Sequence, residues 1–324
     1  MNDTTPQLQH LAKLRTKVTG EKYRAALERL LHTWEPGQPV IPAASTVEQA
    51  RLESTVLHRG RGLSTVSAHP MGIRSLHPEA GLLTITLEPE PYAVSHWAQA
   101  LLPVDPGPDN LMHGAGGLRY TTTNHHVLLT QLATGATIKL TGFPVHWWER
   151  AAAALAEQAL NTGDHPCFRS PDICPAERDI EQWRAARRID PHFSSALLRR
   201  INVTAFPGGY GGSDLWSDPM RPGWKWKLEM IGAPDHARIL KLLTHPLVGL
   251  DLTVTSRRCH CSEPDTDRFG LGSDRSGCTM QLASADGLRR LEVRDLRWTS
   301  GRKAQERAAG NRVEENALAF QAYV

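Results

Sequence analysis

The segment RRCHCSEPDTDRFGLGSDRSGCTM, residues 257–280, holds three of the chain's five cysteines. Cys259 and Cys261 stand two apart, and Cys278 follows after sixteen intervening residues. Residues 251–261 and 278–284 read as two strands joined by a long polar loop. Positions two apart in a strand share a face, so Cys259 and Cys261 point together and His260 points away. Pairing of the two strands as a hairpin would bring Cys278 back to both. Three thiolates on one side make most of a tetrahedral zinc site, with a fourth ligand from Cys167, His165 or His245. Zinc ligands usually come as two closely spaced pairs, and the second pair is missing here. The plainer readings are three unligated thiols, or a disulfide or redox pair.

Cys174 is a separate case. It directly precedes Pro175, a residue suited to the first helical position because its missing N–H would be unpaired there. A cysteine at a helix N-terminus is a setting in which reactive thiols arise, but a nucleophile also needs a positioned base. The alternative is a capping or buried cysteine. His125-His126 reads as part of a strand, so the two rings face opposite ways and cannot chelate together. His96, His146 and His236 recur near the starts of three helices, which points to repeated packing. The glycine-rich stretch FPGGYGGSDLW, residues 206–216, does not lead through a lysine and hydroxyl into a helix as a phosphate loop does, but runs toward Trp216 and a proline-containing loop, and reads as a surface loop. No GxSxG, HExxH or Walker motif occurs in the chain.

Charge supplies the next clue. Residues 1–61 hold nine Lys/Arg against six Asp/Glu, which accounts for the whole net charge of +3. Lys13, Lys17, Lys22 and Arg24 are therefore the candidate nucleic-acid contacts, although an excess of this size is small for a committed binder. Four arginine pairs, at 187–188, 199–200, 257–258 and 289–290, would form an anion-binding face if they converged. Bases could then stack on Trp147-Trp148 or on Trp224 and Trp226. The plainer reading puts these tryptophans in the core and pairs the arginines with acids.

The elements that must position these residues follow from periodicity. Leu8, Leu11, Leu14 and Val18 form one helical stripe, and Tyr23, Leu27, Leu30 and Leu31 another, separated at Gly20. The proline-rich linker WEPGQPVIPAA, residues 34–44, reads as stiff and extended, which predicts that residues 1–32 are dispensable for folding of the body. Ser45–Glu48 has the spacing of a capping box opening a third helix, to about Leu57. Beyond residue 64 strands and helices alternate. The segments 84–102, 137–155 and 227–243 share a strand, a proline turn and an amphipathic helix. The last two align most closely, as Gly142–His146 against Gly232–His236. The expected fold is α+β, with antiparallel sheets, helices on one face, a duplicated strand-turn-helix unit and a small helical N-terminal arm. The expected divisions are 1–61 (helical arm with linker), 62–165 (first α+β unit) and 166–324 (second α+β unit with the cysteine loop).

No signal peptide or membrane span is legible, which suggests a cytoplasmic protein with reduced thiols. The expected function is non-catalytic binding, with the helical arm engaging a macromolecular partner, protein or nucleic acid. The alternative is an enzyme with a cysteine- or zinc-centred site near residues 259–278.

Overall fold

Glycine and proline punctuate the chain where its elements stop and start. Gly20, at φ 73°, ends helix α1 (Pro6–Thr19), and helix α2 (Tyr23–Thr33) begins three residues later. Helix α3 (Val47–Gly60) is capped by Thr46, whose Oγ accepts from Gln49 N at 3.1 Å, one residue later than the sequence box predicts. The Gln49 side chain instead acts like an extra peptide group, bonding both Thr137 O and Thr137 N. The computed structural model describes residues 6–60, 66–67, 69–107, 110–186, 190–205, 211–217, 225–231, 236–258 and 278–295.

The remaining elements are β1 (Val66–Ser67), β2 (Ile73–Pro78), β3 (Leu83–Leu87), α4 (Pro91–Leu101), β4 (Leu118–Thr122), β5 (Val127–Gln131), β6 (Thr137–Thr141), α5 (Val145–Thr162), α6 (Pro175–Ala186), α7 (Pro191–Leu198), β7 (Gly211–Ser217), β8 (Trp226–Ile231), α8 (His236–Leu243), β9 (Thr253–Arg258), β10 (Cys278–Ala283) and β11 (Arg290–Asp295). The α+β class is as expected. One sheet has the order β2-β3-β6-β5-β4, the other β1-β7-β8-β11-β10-β9. Each is mixed: β3–β6 and β8–β11 are parallel, and the other pairings are antiparallel.

Without the short edge strand β1, the two sheets have one plan. Counted along the chain, the five strands of each lie in the order first, second, fifth, fourth, third, with a helix after the second. The duplication therefore lies in topology. It makes α8 the counterpart of α4, whereas local sequence likeness matches α8 with α5. The likeness between β3–α4 and β6–α5 has a local cause: both are strand-to-helix exits from neighbouring parallel strands. The histidines do not share a packing role, contrary to expectation. His96 sits half-buried midway along α4, His146 is exposed, and His236 is buried at the start of α8. His125 and His126 lie in the turn between β4 and β5, not on a strand. Gly211–Ser217, expected as loop, is strand β7, while residues 206–210 lie outside the described residues.

The helical segment is packed onto the body. Leu11, Ala12, Leu14 and Val18 of α1 and Ala26 and Leu30 of α2 belong to one buried apolar cluster that also holds Leu76, Trp97, Trp148, Trp226, Met280 and Val293. Tyr23 and Leu31, placed on the apolar stripe by periodicity, are exposed at 41% and 43%. The α1 helix packs against β2, α8 and the 3-10 turn Ile201–Thr204, and α3 packs against α7. The linker contributes Val40 and Ile41 to the same cluster. It therefore seats α1 and α2 on the body, which runs against the expectation that residues 1–32 are dispensable. Among the described residues no helix is long and apolar enough to cross a membrane.

Candidate functional site

Two places gather charge or reactive groups. The first is the α1–α2 hairpin. Its inner charges neutralise one another. Arg15, 2% exposed, donates to Glu21 through Nε, to Val40 O at 2.7 Å and to Pro78 O at 3.4 Å. Glu21 also meets His77 Nδ1 at 2.8 Å. Burial alone would raise the Glu21 pKa, but the hydrogen bond with His77 and the charge and hydrogen bond of Arg15 bring it down to about 2. Arg29, beside them, bonds Glu79 at 2.7 Å.

The outer charges are not neutralised in this way. Lys13 and Lys17, one helical turn apart, lie exposed on α1. Lys22 flanks the start of α2 and Arg24 lies in its first turn, both exposed. Among the described residues Lys13, Lys17 and Lys22 make no ion pair. Arg24 pairs with Glu28 at 2.9 Å, with the two side chains 88% and 56% exposed, a pair that water largely screens. No acidic residue sits in the first turn of α2, and no side chain caps it. Cations therefore occupy the end of α2 where the helix dipole is already positive, an arrangement that costs about 0.3–1 kcal/mol per charge.

The second place is the loop before α6. Pro175 takes the first helical position, as its sequence predicts, and Cys174 stands directly before it. Glu177 reaches back to accept from Cys174 N at 2.9 Å, the carboxylate half of a capping box. Its other bonds come from Gly117 N at 2.8 Å and from Arg119, through Nη1 at 2.8 Å and Nη2 at 3.0 Å. Gly117 has φ 70°, a left-handed backbone conformation that favours glycine. Burial would raise the Glu177 pKa, but these donors hold it below the ordinary carboxylate value. Arg119 also donates to Ser170 O and Asp172 O, both at 2.6 Å, and so grips the loop itself. Backbone bonds between Asp105 and His165, at 2.8 and 2.9 Å, fasten its start.

This framework brings Cys167 Sγ to 3.3 Å from Cys174 Sγ. Cys167 is fully buried and Cys174 half-buried. Burial pushes the Cys167 thiol well up, with Cys174, Glu177 and Asp105 adding to it, so it stays protonated and donates to His165 O at 3.5 Å. Cys167, Cys174 and Glu177 could hold a metal ion, since their ligand atoms lie within 4.8 Å of one another. Both Glu177 oxygens, however, already accept two hydrogen bonds, and the Arg119 guanidinium beside them opposes a cation.

Of the three cysteines singled out in the sequence, only Cys278 lies among the described residues. It is buried at the start of β10, where Thr279 stands opposite Arg258 at the end of β9. The two strands form the expected antiparallel pair, and Cys259 and Cys261 lie outside the described residues. Sequence reading separated Cys174 from Cys167 and passed over Glu177 and Arg119. The usable signal was Cys174-Pro175 with Glu177 at capping-box spacing.

Among the described arginine pairs, Arg199–Arg200 cannot join an outer anion-binding face. Arg199 and Arg200 are buried at 0% and 8% exposure, with Arg199 holding Glu53, Pro42 O and Glu79 O and Arg200 donating to Val248 O and Ala196 O. Arg257 and Arg258 are exposed on the edge strand β9, and Arg187 and Arg188 lie outside the described residues. Trp148 and Trp226 are fully buried core residues, not stacking platforms. No family model, curated protein or solved structure matches the chain.

Proposed function

We propose that this is a non-catalytic binding protein whose α1–α2 hairpin docks on the phosphate backbone of a nucleic acid. One observation carries the reading. The charges inside the hairpin pair off, while Lys13, Lys17, Lys22 and Arg24 stand outward, two of them at a helix end where cations cost stability. Exposed cations of this kind suit phosphate oxygens, which also accept from helix N-terminal N–H groups. Point-charge lysines recognise a backbone and not a base sequence, so binding is sequence-independent. A cytoplasmic setting belongs to the same proposal. Fluorescence anisotropy with a labelled duplex DNA tests it: the wild-type chain binds, and the variant with alanine at all four positions loses most of its affinity. Equal binding by the two proteins would remove the hairpin from the interface, and a protein ligand would become the better reading.

A second reading, a cysteine- or zinc-centred site, keeps one support. Strands β9 and β10 pair so that Cys278 stands beside the end of β9, close in sequence to Cys259 and Cys261. Elemental analysis of the purified protein tests it. Zinc at one equivalent, lost in Cys261→Ser, favours this reading, and a protein without bound zinc argues against it.

A further inference from the structure

We propose that Cys167 and Cys174 are a modification site at which a small hydroperoxide forms a reversible disulfide. The sulfurs lie 3.3 Å apart across a loop of eight residues. A disulfide bond measures about 2.05 Å, so a closing movement of roughly 1.3 Å suffices, within reach of side-chain rotation. Two thiolates on one tetrahedral ion, with bonds of about 2.3 Å, would stand about 3.5–4 Å apart. The third group of the cluster is committed elsewhere, since Glu177 receives Arg119, Gly117 N and Cys174 N. The set is therefore better suited to joining its two sulfurs than to holding a cation.

Accessibility divides the roles. Cys174 is half-buried and meets solvent, whereas Cys167 is buried behind it. In the first step Cys174 Sγ attacks one peroxide oxygen. The S–O bond forms, the O–O bond breaks, and the Cys174 thiol proton leaves with the departing hydroxide as water. In the second step Cys167 Sγ attacks Cys174 Sγ. The S–S bond forms, the S–OH bond breaks, and the Cys167 proton leaves with hydroxide as a second water. Two thiols lose two electrons in all, and one peroxide is reduced. Loop and helix end stay in place throughout, because Arg119 holds Ser170 O and Asp172 O and the Asp105–His165 bridge holds the start of the loop.

The site is independent of nucleic-acid binding. The test treats the full-length protein with one equivalent of hydrogen peroxide, blocks remaining thiols with a maleimide and maps the peptides by mass spectrometry. The expected result is a loss of two hydrogens carried by a Cys167–Cys174 linked peptide and reversed by dithiothreitol. Cys167→Ser should stop the reaction at the Cys174 sulfenic acid, seen as a dimedone adduct. Because replacing a buried cysteine can unfold the chain, Cys174→Ser is the second variant, and it must leave Cys167 unlinked. Wild-type peptides with both thiols still alkylated, or joined instead to Cys259, Cys261 or Cys278, would overturn the proposal. So would a metal ion in the purified protein that shields both thiols and is released by Cys174→Ser.

Discussion

Two buried arginines, Arg15 and Arg119, each grip one carboxylate together with backbone carbonyls. Arg15 holds Glu21, Val40 O and Pro78 O, and so ties the helical segment and its linker to the first sheet. Arg119, on the edge strand β4, holds Glu177, Ser170 O and Asp172 O, and so ties a loop and a helix start to the same sheet. Their company differs. Glu21 also faces His77, whereas the other donors to Glu177 are backbone N–H groups. The outward consequences differ as well: one clamp presents a basic surface and the other presents two thiols. A buried charge pair can thus fix irregular backbone that must satisfy its polar groups, leaving the exposed side chains free to be chosen for binding or reactivity.

The largest expected effect comes from removing the first clamp altogether. Deleting residues 1–43 uncovers the cluster that Leu11, Leu14, Val18 and Leu30 help to fill. Each such side chain contributes about 1.5–3 kcal/mol on full burial, so the loss is comparable with a typical net stability of about 5–15 kcal/mol. Calorimetry of the truncated chain should show no cooperative transition. A sharp melting peak would mean that the hairpin is an accessory to the body.

Single substitutions compare the clamps directly. Glu21→Gln and Glu177→Gln each leave a buried arginine without its counter-charge, at a cost of about 3–5 kcal/mol in urea unfolding at neutral pH. A cost below about 1 kcal/mol at either position would show that its backbone carbonyls alone suffice. Acid distinguishes the mutant from the wild type. The folded-state pKa of Glu21 lies at about 2, below its ordinary value of 4.5, so its stabilisation is complete above about 4.5 and is lost as pH falls toward 2. The shift corresponds to roughly 3 kcal/mol. The gap between wild type and Glu21→Gln should therefore narrow across that window. Glu177 is shifted in the same direction and contributes with the same sign.

The smallest effect concerns the outward face alone. Lys22→Glu replaces a cation by an anion at the start of α2, a change of two charges, and should stabilise the protein by about 0.6–2 kcal/mol while weakening nucleic-acid binding. Stability and binding moving together in this variant would show that the cations serve packing and not a partner.

The sequence shows parts of this plainly and hides others. The stripe Leu8, Leu11, Leu14, Val18 and the stop at Gly20 are visible because local periodicity and φ preference decide them. The hairpin β2–β3 and the three strands β4, β5 and β6 are visible for the same reason. The orientation of α2 is not: Ala26 and Leu30 face inward while Tyr23 and Leu31 do not, because contacts with the body select the face. The parallel pairs β3–β6 and β8–β11 depend on non-local pairing, and so does the match of α8 with α4. The Cys167–Cys174 pair is hidden because Arg119, about fifty residues upstream, folds the intervening loop. The outward set Lys13, Lys17, Lys22 and Arg24 was legible from charge alone, but its outward placement, with only Arg24 in an ion pair and that one exposed, was not.

The salt dependence of duplex DNA binding tests the central claim most directly. If the four cations each neutralise a phosphate, log K falls with log salt with a slope of about −3 to −4, from about −0.9 per phosphate. Replacing Lys13, Lys17, Lys22 and Arg24 by alanine should bring that slope close to zero. A wild-type affinity that does not change with salt, or a slope that survives the four substitutions, would contradict the assignment of the α1–α2 hairpin as a nucleic-acid interface.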